Sequence, residues 1–199
     1  MNKNGKTIAM ILGLALSAVM PFAAQAQAVA AKPGFYLGAG IGTADAWDYN
    51  CDALPTCKKK GSAYRFFGGW QFSRNFAVEA TYADFGKVSS SNGGNFDENI
   101  KVSAGDVTLV GVWHALETLG FYGRVGGYYS QSTRTTTQSG VTTTTKEGRG
   151  NPTIAGGFQW YMTGGLALRG EGQRYVKVGG GTIGDSDYTL YSLNLLYKF

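Results

Sequence analysis

Strict alternation of side chains, with a period of two residues, recurs in eight segments of about ten residues each. Around residue 79, for example, Phe76, Val78 and Tyr82 alternate with Glu79 and Thr81. Because successive side chains of a β-strand point to opposite faces, each segment is predicted to be a strand with one apolar face. The eight segments are residues 35–42, 63–72, 76–85, 105–114, 121–130, 153–161, 166–175 and 188–199.

The length of these segments predicts that the strands cross a membrane. A strand of ten residues tilted near 45° rises roughly 23–25 Å along the membrane normal, which matches the hydrocarbon core. Backbone N–H and C=O groups in lipid must all be hydrogen-bonded, so such strands have to close into a barrel. The chain is therefore predicted to be all-β, an eight-stranded antiparallel up-and-down transmembrane β-barrel.

The connections between the predicted strands alternate strictly between short and long. This alternation is typical of outer-membrane barrels, which have short periplasmic turns and longer extracellular loops. The short connections are residues 73–75, 115–120 and 162–165, and the long ones are residues 43–62, 86–104, 131–152 and 176–187.

Aromatic residues are expected to form two girdles at the membrane interfaces. The girdle at the periplasmic ends of the strands would contain Tyr36, Trp70, Phe72, Phe76, Trp113, Phe121, Trp160 and Tyr197. The girdle at the outer ends would contain Tyr82, Phe85, Tyr128, Tyr129, Tyr175 and Tyr188. The alternative is a soluble secreted sandwich or lipocalin-like barrel, whose apolar face points inward.

Charged residues lie opposite the apolar face, near the middle of their strands, and this placement favours the membrane barrel over the soluble one. Because isolated charges in a low-dielectric interior are costly, these side chains are expected to pair in the lumen. We interpret them as a polar plug that fills a narrow barrel; the alternative is a narrow ion-conducting channel. The predicted lumen charge network consists of Arg65, Glu79, Arg124, Arg169 and Glu171.

Residues 1–26 are predicted to be a secretory signal peptide. Lys3 and Lys6 precede an apolar stretch that ends before Pro21, and cleavage is expected after Ala26 or Ala28. The outer-membrane β-barrel domain would then span residues 27–199. Removal of the two lysines lowers the formal net charge from +5 to +3. That mild excess, without a clustered basic motif, gives no reason to expect nucleic-acid binding.

The sequence contains one histidine, His114, and two cysteines. A hydrolase would need a nucleophile beside the histidine and a third group to orient it. Serine and threonine residues cluster instead in the predicted external loops, a membrane thickness away. We therefore predict no catalytic, cofactor-binding or metal-binding residues. A lipid-modifying outer-membrane enzyme remains a distant alternative.

Two of the long loops carry distinctive chemistry. Cys51 and Cys57 are close in sequence, and the exported location favours a local disulfide between them. Residues 58–60 are three lysines, which are either a solvated charge run or a contact for the anionic phosphates of lipopolysaccharide. Residues 130–150 contain eight threonines, which favour a β-hairpin above the membrane or, equally, a disordered polar loop.

Three segments carry a family resemblance: Gly34-Phe-Tyr-Leu-Gly-Ala-Gly, residues 69–86 and residues 157–175. They resemble the OmpA-like transmembrane barrel family over essentially all of residues 34–199. We expect no peptidoglycan-binding domain, which makes the chain similar to the barrel-only OmpX/Ail-like and opacity-like proteins. The last strand looks like the terminal signal that the outer-membrane assembly machinery reads. Its outward residues are Tyr191, Leu193, Leu195, Tyr197 and Phe199.

The resemblance implies a non-enzymatic protein of the cell outer membrane. We expect a structural or envelope-integrity role together with adhesion, host or ligand binding through the extracellular loops. Outer-membrane lipids and lipopolysaccharide are the expected surroundings, a host or surface protein is a possible partner of the loops, and a monomer is the expected state.

Overall fold

All regular structure in the described part of the chain is β-strand. In this computed structural model, the described residues are 32–46, 56–58, 60–91, 96–163, 165–180 and 184–199. Among them, no helix is long and apolar enough to cross a bilayer. The predicted signal peptide lies outside these residues. The strands are β1 (Gly34–Ala46), β2 (Thr56–Lys58), β3 (Lys60–Gln71), β4 (Phe76–Ser91), β5 (Phe96–His114), β6 (Leu119–Gln138), β7 (Val141–Tyr161), β8 (Leu166–Gly180) and β9 (Gly184–Lys198).

Eight long antiparallel strands close into a barrel. Each strand from β3 to β9 pairs with the next, and β1 pairs with both β3 and β9. The short strand β2 adds to the far end of β4, from Thr56 opposite Ser91 to Lys58 opposite Ser89. Closure removes the free edges that an open sheet would expose. The predicted eight-stranded antiparallel barrel is confirmed.

On the eight long strands, the apolar face points outward and the polar face points into the barrel. On β3, Phe66 is 61% exposed whereas the neighbouring Arg65 is only 1% exposed. A soluble barrel would have the reverse arrangement, because its apolar side chains fill the interior. The soluble alternative is therefore wrong.

The aromatic girdle at the short-turn end forms as a set of ring contacts on the outer surface. Phe35 stacks on Trp70 at 6.3 Å, and Trp113 stacks on Phe121 at 6.1 Å between ring centroids. At the opposite end, Tyr82 and Tyr129 are exposed on the same outer face. These outward rings are typical of side chains at a membrane interface.

The girdle prediction is wrong for five aromatic residues, which point into the barrel. Their position along the strand suggested an interface, but their phase on the strand is that of the inward side chains. Side-chain direction in a strand alternates with a period of two. A residue's place in this alternation, and not its height in the membrane, therefore decides whether its side chain points inward. The five buried residues are Tyr36, Phe85, Tyr128, Tyr175 and Tyr188.

The strands continue well beyond the predicted ends at the side opposite the short turns. Residues 86–104, 131–152 and 176–187, predicted as loops, are largely strand. In particular, β6 and β7 form one long hairpin joined by Ser139 and Gly140, whose φ angles of 50° and 82° fit a two-residue turn of type I′. Threonines lie directly opposite one another in this hairpin, as in Thr137 and Thr142, and threonine favours strand structure.

The two side chains of the predicted disulfide lie outside the described part of the chain. Cys51 lies outside the described residues, and of Cys57 only the backbone in β2 is described. The disulfide between Cys51 and Cys57 remains a prediction.

The C-terminal strand lies at the seam where the barrel closes. Strand β9 pairs with β1 from Lys198 opposite Tyr36 and with β8 from Tyr197 opposite Leu166. Beyond its end, the Phe199 backbone N–H donates to the Phe35 carbonyl at 2.9 Å. The outward side chains on this seam are Tyr191, Leu193, Leu195, Tyr197 and Phe199.

Deletion of Phe199 should reduce the amount of folded protein in outer-membrane fractions, measured as the heat-modifiable and protease-resistant form. The deletion removes the last backbone hydrogen bond of the seam and the terminal outward ring. Phe35→Ala is the matched control, because it removes another exposed ring at the same end and keeps the terminus. Equal assembly of the deletion and the control would contradict a role for Phe199 as a signal.

Candidate functional site

Six charged side chains from five strands meet in the centre of the barrel. They are buried, each at most 5% exposed, and we call them the charge cluster. Three arginines face three carboxylates, so the cluster is electrically balanced. Buried charges are tolerated when they are paired and hydrogen-bonded in this way. The charge cluster consists of Arg65, Glu79, Asp106, Arg124, Arg169 and Glu171.

Glu79 lies at the middle of the charge cluster. Its Oε1 accepts a hydrogen bond from Arg124 Nη1 at 2.7 Å, and its Oε2 accepts one from Arg169 Nη1 at 2.6 Å. The Tyr36 hydroxyl donates to the same Oε2 at 2.9 Å. Arg65 Nη2 lies 3.7 Å from Oε1. Glu79 therefore contacts all three arginines, and charge-assisted bonds of this kind are the strongest in proteins.

Glu171 is the second bridge between arginines. Its Oε1 accepts from Arg65 Nη1 and, at 3.0 Å, from Arg124 Nη2. The Tyr122 hydroxyl donates to Oε2 at 2.5 Å. Both oxygens of Glu171 therefore have donors, and Arg124 is held between Glu79 and Glu171.

Asp106 is a member of the charge cluster that sequence reasoning missed. Its Oδ1 lies 3.5 Å from Arg124 Nη1, and its Oδ2 accepts from Gln173 Nε2 at 3.1 Å and from the Tyr175 hydroxyl at 2.9 Å. Two signals in the sequence pointed to it. Asp106 shares the inward phase of its strand with Thr108, and three predicted arginines faced only two predicted acids.

Neutral side chains also hold Arg169 in place. Its Nε and Nη2 both donate to Gln159 Oε1, at 3.1 and 3.0 Å. Its guanidinium lies 4.7 Å from the ring centroid of Tyr122 and 5.0 Å from that of Phe67. A cation over aromatic faces is attracted by their quadrupole, and the effect grows when water is excluded. Arg169 is thus fixed on several sides.

An apolar layer closes the lumen on the side away from the short turns. Here the buried rings come together, with the Phe85 centroid 4.9 Å from Tyr175 and 5.6 Å from Tyr188. We call this group the upper apolar layer. Its other members are Ala44, Ala46, Ala63, Ala83, Ile100, Val102, Ala104, Tyr128, Val178 and Leu190.

A second apolar layer lies on the short-turn side of the charge cluster. We call it the lower apolar layer; its members are Tyr36, Phe67, Ala77, Val110, Tyr122, Tyr161, Ala167 and Leu196. A cavity of about 30 Å³ remains beside Arg169 and Gln159, a volume on the scale of a few water molecules. The charge cluster therefore lies between two apolar layers, and the cavity in the lower one reaches Arg169.

His114 does not join the charge cluster. It lies at the end of β5, where its Nε2 is 3.2 Å from the Tyr161 hydroxyl and its ring stacks on that of Tyr161. Within the described ranges, no group of three His, Cys, Asp or Glu side chains is arranged to hold a metal ion.

Within the described part of the chain, the outer half of the long hairpin has one edge that pairs with no other strand, which we call the free edge of β7. Strand β7 pairs with β6 along its whole length, but its pairing with β8 reaches only Thr153 opposite Tyr175. Two residues explain the separation. Pro152 has no N–H to donate, and Lys177, with φ of 57°, lies in a bulge that redirects β8. Among the described residues, therefore, only strand β6 pairs with residues 141–152 of β7.

Comparison with known proteins agrees with this fold. The family model of the OmpA-like transmembrane domain matches residues 30–199. Comparison with curated proteins finds no match.

Several solved outer-membrane barrels have the same fold as the chain. OprG from Pseudomonas aeruginosa is 13% identical, with a TM-score of 0.60 over 85% of this chain and 97% of that one. Ail, the attachment invasion locus protein of Yersinia pestis, is 13% identical, with a TM-score of 0.57 over 84% and 100%. Neisserial surface protein A is 14% identical, with a TM-score of 0.56 over 83% and 97%. These likenesses show that the fold is shared.

Glu79→Ala should lower the free energy of unfolding by roughly 3–5 kcal/mol, because it leaves three buried arginines with two carboxylates. Denaturant unfolding in detergent micelles, followed by tryptophan fluorescence, measures the change. Glu117→Ala, at an exposed glutamate in a short turn, is the control and should change stability by less than about 0.5 kcal/mol. Equal stability of the two variants would show that Glu79 does not hold the interior together.

Proposed function

We propose that this chain, which belongs to the OmpA-like transmembrane domain family, is a non-enzymatic outer-membrane barrel with a closed interior. In this proposal it supports the envelope and binds an extracellular partner through the hairpin formed by β6 and β7. The observation that carries the first part is the charge cluster enclosed between two apolar layers. The free edge of β7 carries the second.

A closed interior accounts for the lumen better than a narrow ion channel does. An ion would have to cross both apolar layers and displace arginines that are bonded to Glu79 and Glu171. Each broken buried ion pair leaves an uncompensated charge, which costs several kcal/mol. Small barrels of eight strands are filled by their own side chains, in agreement with this arrangement.

Planar-bilayer recordings of the purified protein test the closed interior. The unmodified chain should give little or no steady conductance, because the bonded side chains of the charge cluster and the upper apolar layer fill the lumen. Glu79→Ala should conduct more, since the arginines freed by the substitution would draw water into the lumen. Large and stable channels from the unmodified protein, unchanged in Glu79→Ala, would support the channel instead.

The free edge of β7 is suited to bind a partner by adding a strand. In a two-residue hairpin, the residues next to the turn form a hydrogen-bonded pair, here Gln138 and Val141. The bonding direction alternates along the strand, so the N–H groups of Thr142, Thr144 and Lys146 point away from β6. An extended segment of a partner can pair with these groups.

Surface binding also fits the name and the bound ligand of one structural relative. Ail of Yersinia pestis is described as an attachment invasion locus protein, and one of its structures holds the heparin analogue sucrose octasulfate. At 12–13% identity the likeness concerns the fold, so the partner of this chain has to be found by experiment. Half of the other predicted binding segment, residues 43–62, lies outside the described residues.

A proline substitution at the edge tests strand addition. Thr144→Pro removes an N–H that faces away from β6, so the hairpin should persist while binding to a panel of immobilised extracellular-matrix proteins falls about tenfold or more. Thr144→Ala removes the side chain, keeps the N–H and should bind as the unmodified protein does.

Two results would overturn strand addition at this edge. One is binding that survives both Thr144→Pro and removal of residues 131–152. The other is the absence of any binding to the panel by the unmodified protein. Heat modifiability of each variant confirms that its barrel has folded.

A further inference from the structure

Three lysines form a row across neighbouring strands above the membrane. Lys87 of β4 lies directly opposite Lys101 of β5, and Lys101 lies opposite Thr133 of β6. Thr133 in turn lies opposite Lys146 of β7. We call Lys87, Lys101 and Lys146 the lysine row. The three residues are far apart in the sequence, and only the strand register brings them into one line.

The lysine row faces outward, away from the barrel axis. Lys101 has the same phase on β5 as the outward Val107, and Lys146 has the same phase on β7 as the outward Ile154. All three lysines are exposed. The row therefore points sideways from the barrel wall, toward whatever surrounds the protein.

The height of the lysine row can be read from the aromatic girdle. Gly105 of β5 pairs with Tyr82 and Tyr129, whose rings lie at the outer interface, and Lys101 is four residues further along the same strand. Four residues span about 13 Å along a strand, or about 10 Å along the membrane normal at the usual tilt. The lysine side chains therefore lie at or just above the level of the lipid headgroups.

The lysine row does not by itself stabilise the fold. Like charges placed directly opposite each other on one face of a sheet are destabilising. Among the described residues, none of the three lysines forms an ion pair. On the same face, Asp84 uses its Oδ1 to accept the Gly86 N–H at 2.7 Å, and Asp97 is four residues beyond Lys101. The positive charge of the row is left for a group outside the chain.

We infer that the lysine row is a binding strip for the phosphate groups of an anionic lipid in the outer leaflet, with lipid A as its occupant. A phosphate placed between Lys87 and Lys101 converts their repulsion into attraction to a shared anion. Thr133 supplies a hydroxyl donor in the same line. The sideways direction and the headgroup height favour a neighbouring lipid over a soluble polyanion, which would meet the distal tip of the hairpin first.

This inference depends on the outer-membrane location alone. It does not depend on the closed interior or on the free edge of β7. The test therefore uses Lys87 and Lys101, which lie on β4 and β5, away from that edge. Loss of lipid binding would leave partner binding by the hairpin intact, and the reverse also holds.

The experiment measures binding of lipid A, carrying both of its phosphates, to the refolded protein in phosphatidylcholine nanodiscs. The double variant Lys87→Gln/Lys101→Gln should bind about 30-fold more weakly at low salt, since each lysine near an anionic lipid surface contributes about a factor of five. The control Arg174→Gln/Lys177→Gln removes two other exposed cations at the same end of the barrel, on β8, and should bind as the unmodified protein does. Dephosphorylated lipid A should bind all variants equally weakly.

Three outcomes would overturn the inference. In the first, both double variants bind lipid A equally well or lose affinity equally. In the second, dephosphorylated lipid A binds the unmodified protein as tightly as the phosphorylated form. In the third, Lys87→Gln/Lys101→Gln keeps its affinity for lipid A but loses affinity for the soluble polyanion sucrose octasulfate, which would assign the row to a soluble ligand.

Discussion

Every backbone N–H and C=O group that crosses lipid needs a partner within the protein, and this requirement governs the whole structure. The pairing of β9 with β1 meets this requirement for the first and the last strand and closes the barrel. Closure then divides each strand into an outward and an inward set of side chains. The outward set meets lipid and is apolar, so the remaining polar and charged side chains are confined to a narrow lumen.

Confinement makes charge balance a condition of folding. The interior holds Arg65, Arg124 and Arg169, and each arginine is bonded to a carboxylate that is also buried. The side chains of the cluster are nearly fully buried, which strengthens these bonds and raises the cost of breaking them. The same contacts that stabilise the barrel also fill it, so stability and closure of the lumen have one physical origin.

Above the membrane, backbone N–H and C=O groups can form hydrogen bonds with water. Strands there do not have to pair on both sides. Strand β7 separates from β8 beyond Thr153, and the hairpin of β6 and β7 extends into solvent. The extension presents a free backbone edge and an outward face with the lysine row. A strand edge binds an extended chain through main-chain hydrogen bonds, whereas a row of cations binds phosphate. The two features are therefore suited to different partners.

The sequence by itself determined the class of fold, because a period of two in ten-residue segments admits strands and excludes membrane helices. It also pointed to five of the six members of the charge cluster, since a charge opposite an apolar face must be inside. Only the tertiary structure decided which charges touch, and it added Asp106 to them. The inward positions of Phe85 and Tyr175 already followed from their phase along the strands. The contacts within the charge cluster and the alignment of Lys87 with Lys101 and Lys146 were left to the tertiary structure. These features depend on strand register and on bulges, which arise from pairing between distant segments and leave no local pattern along the chain.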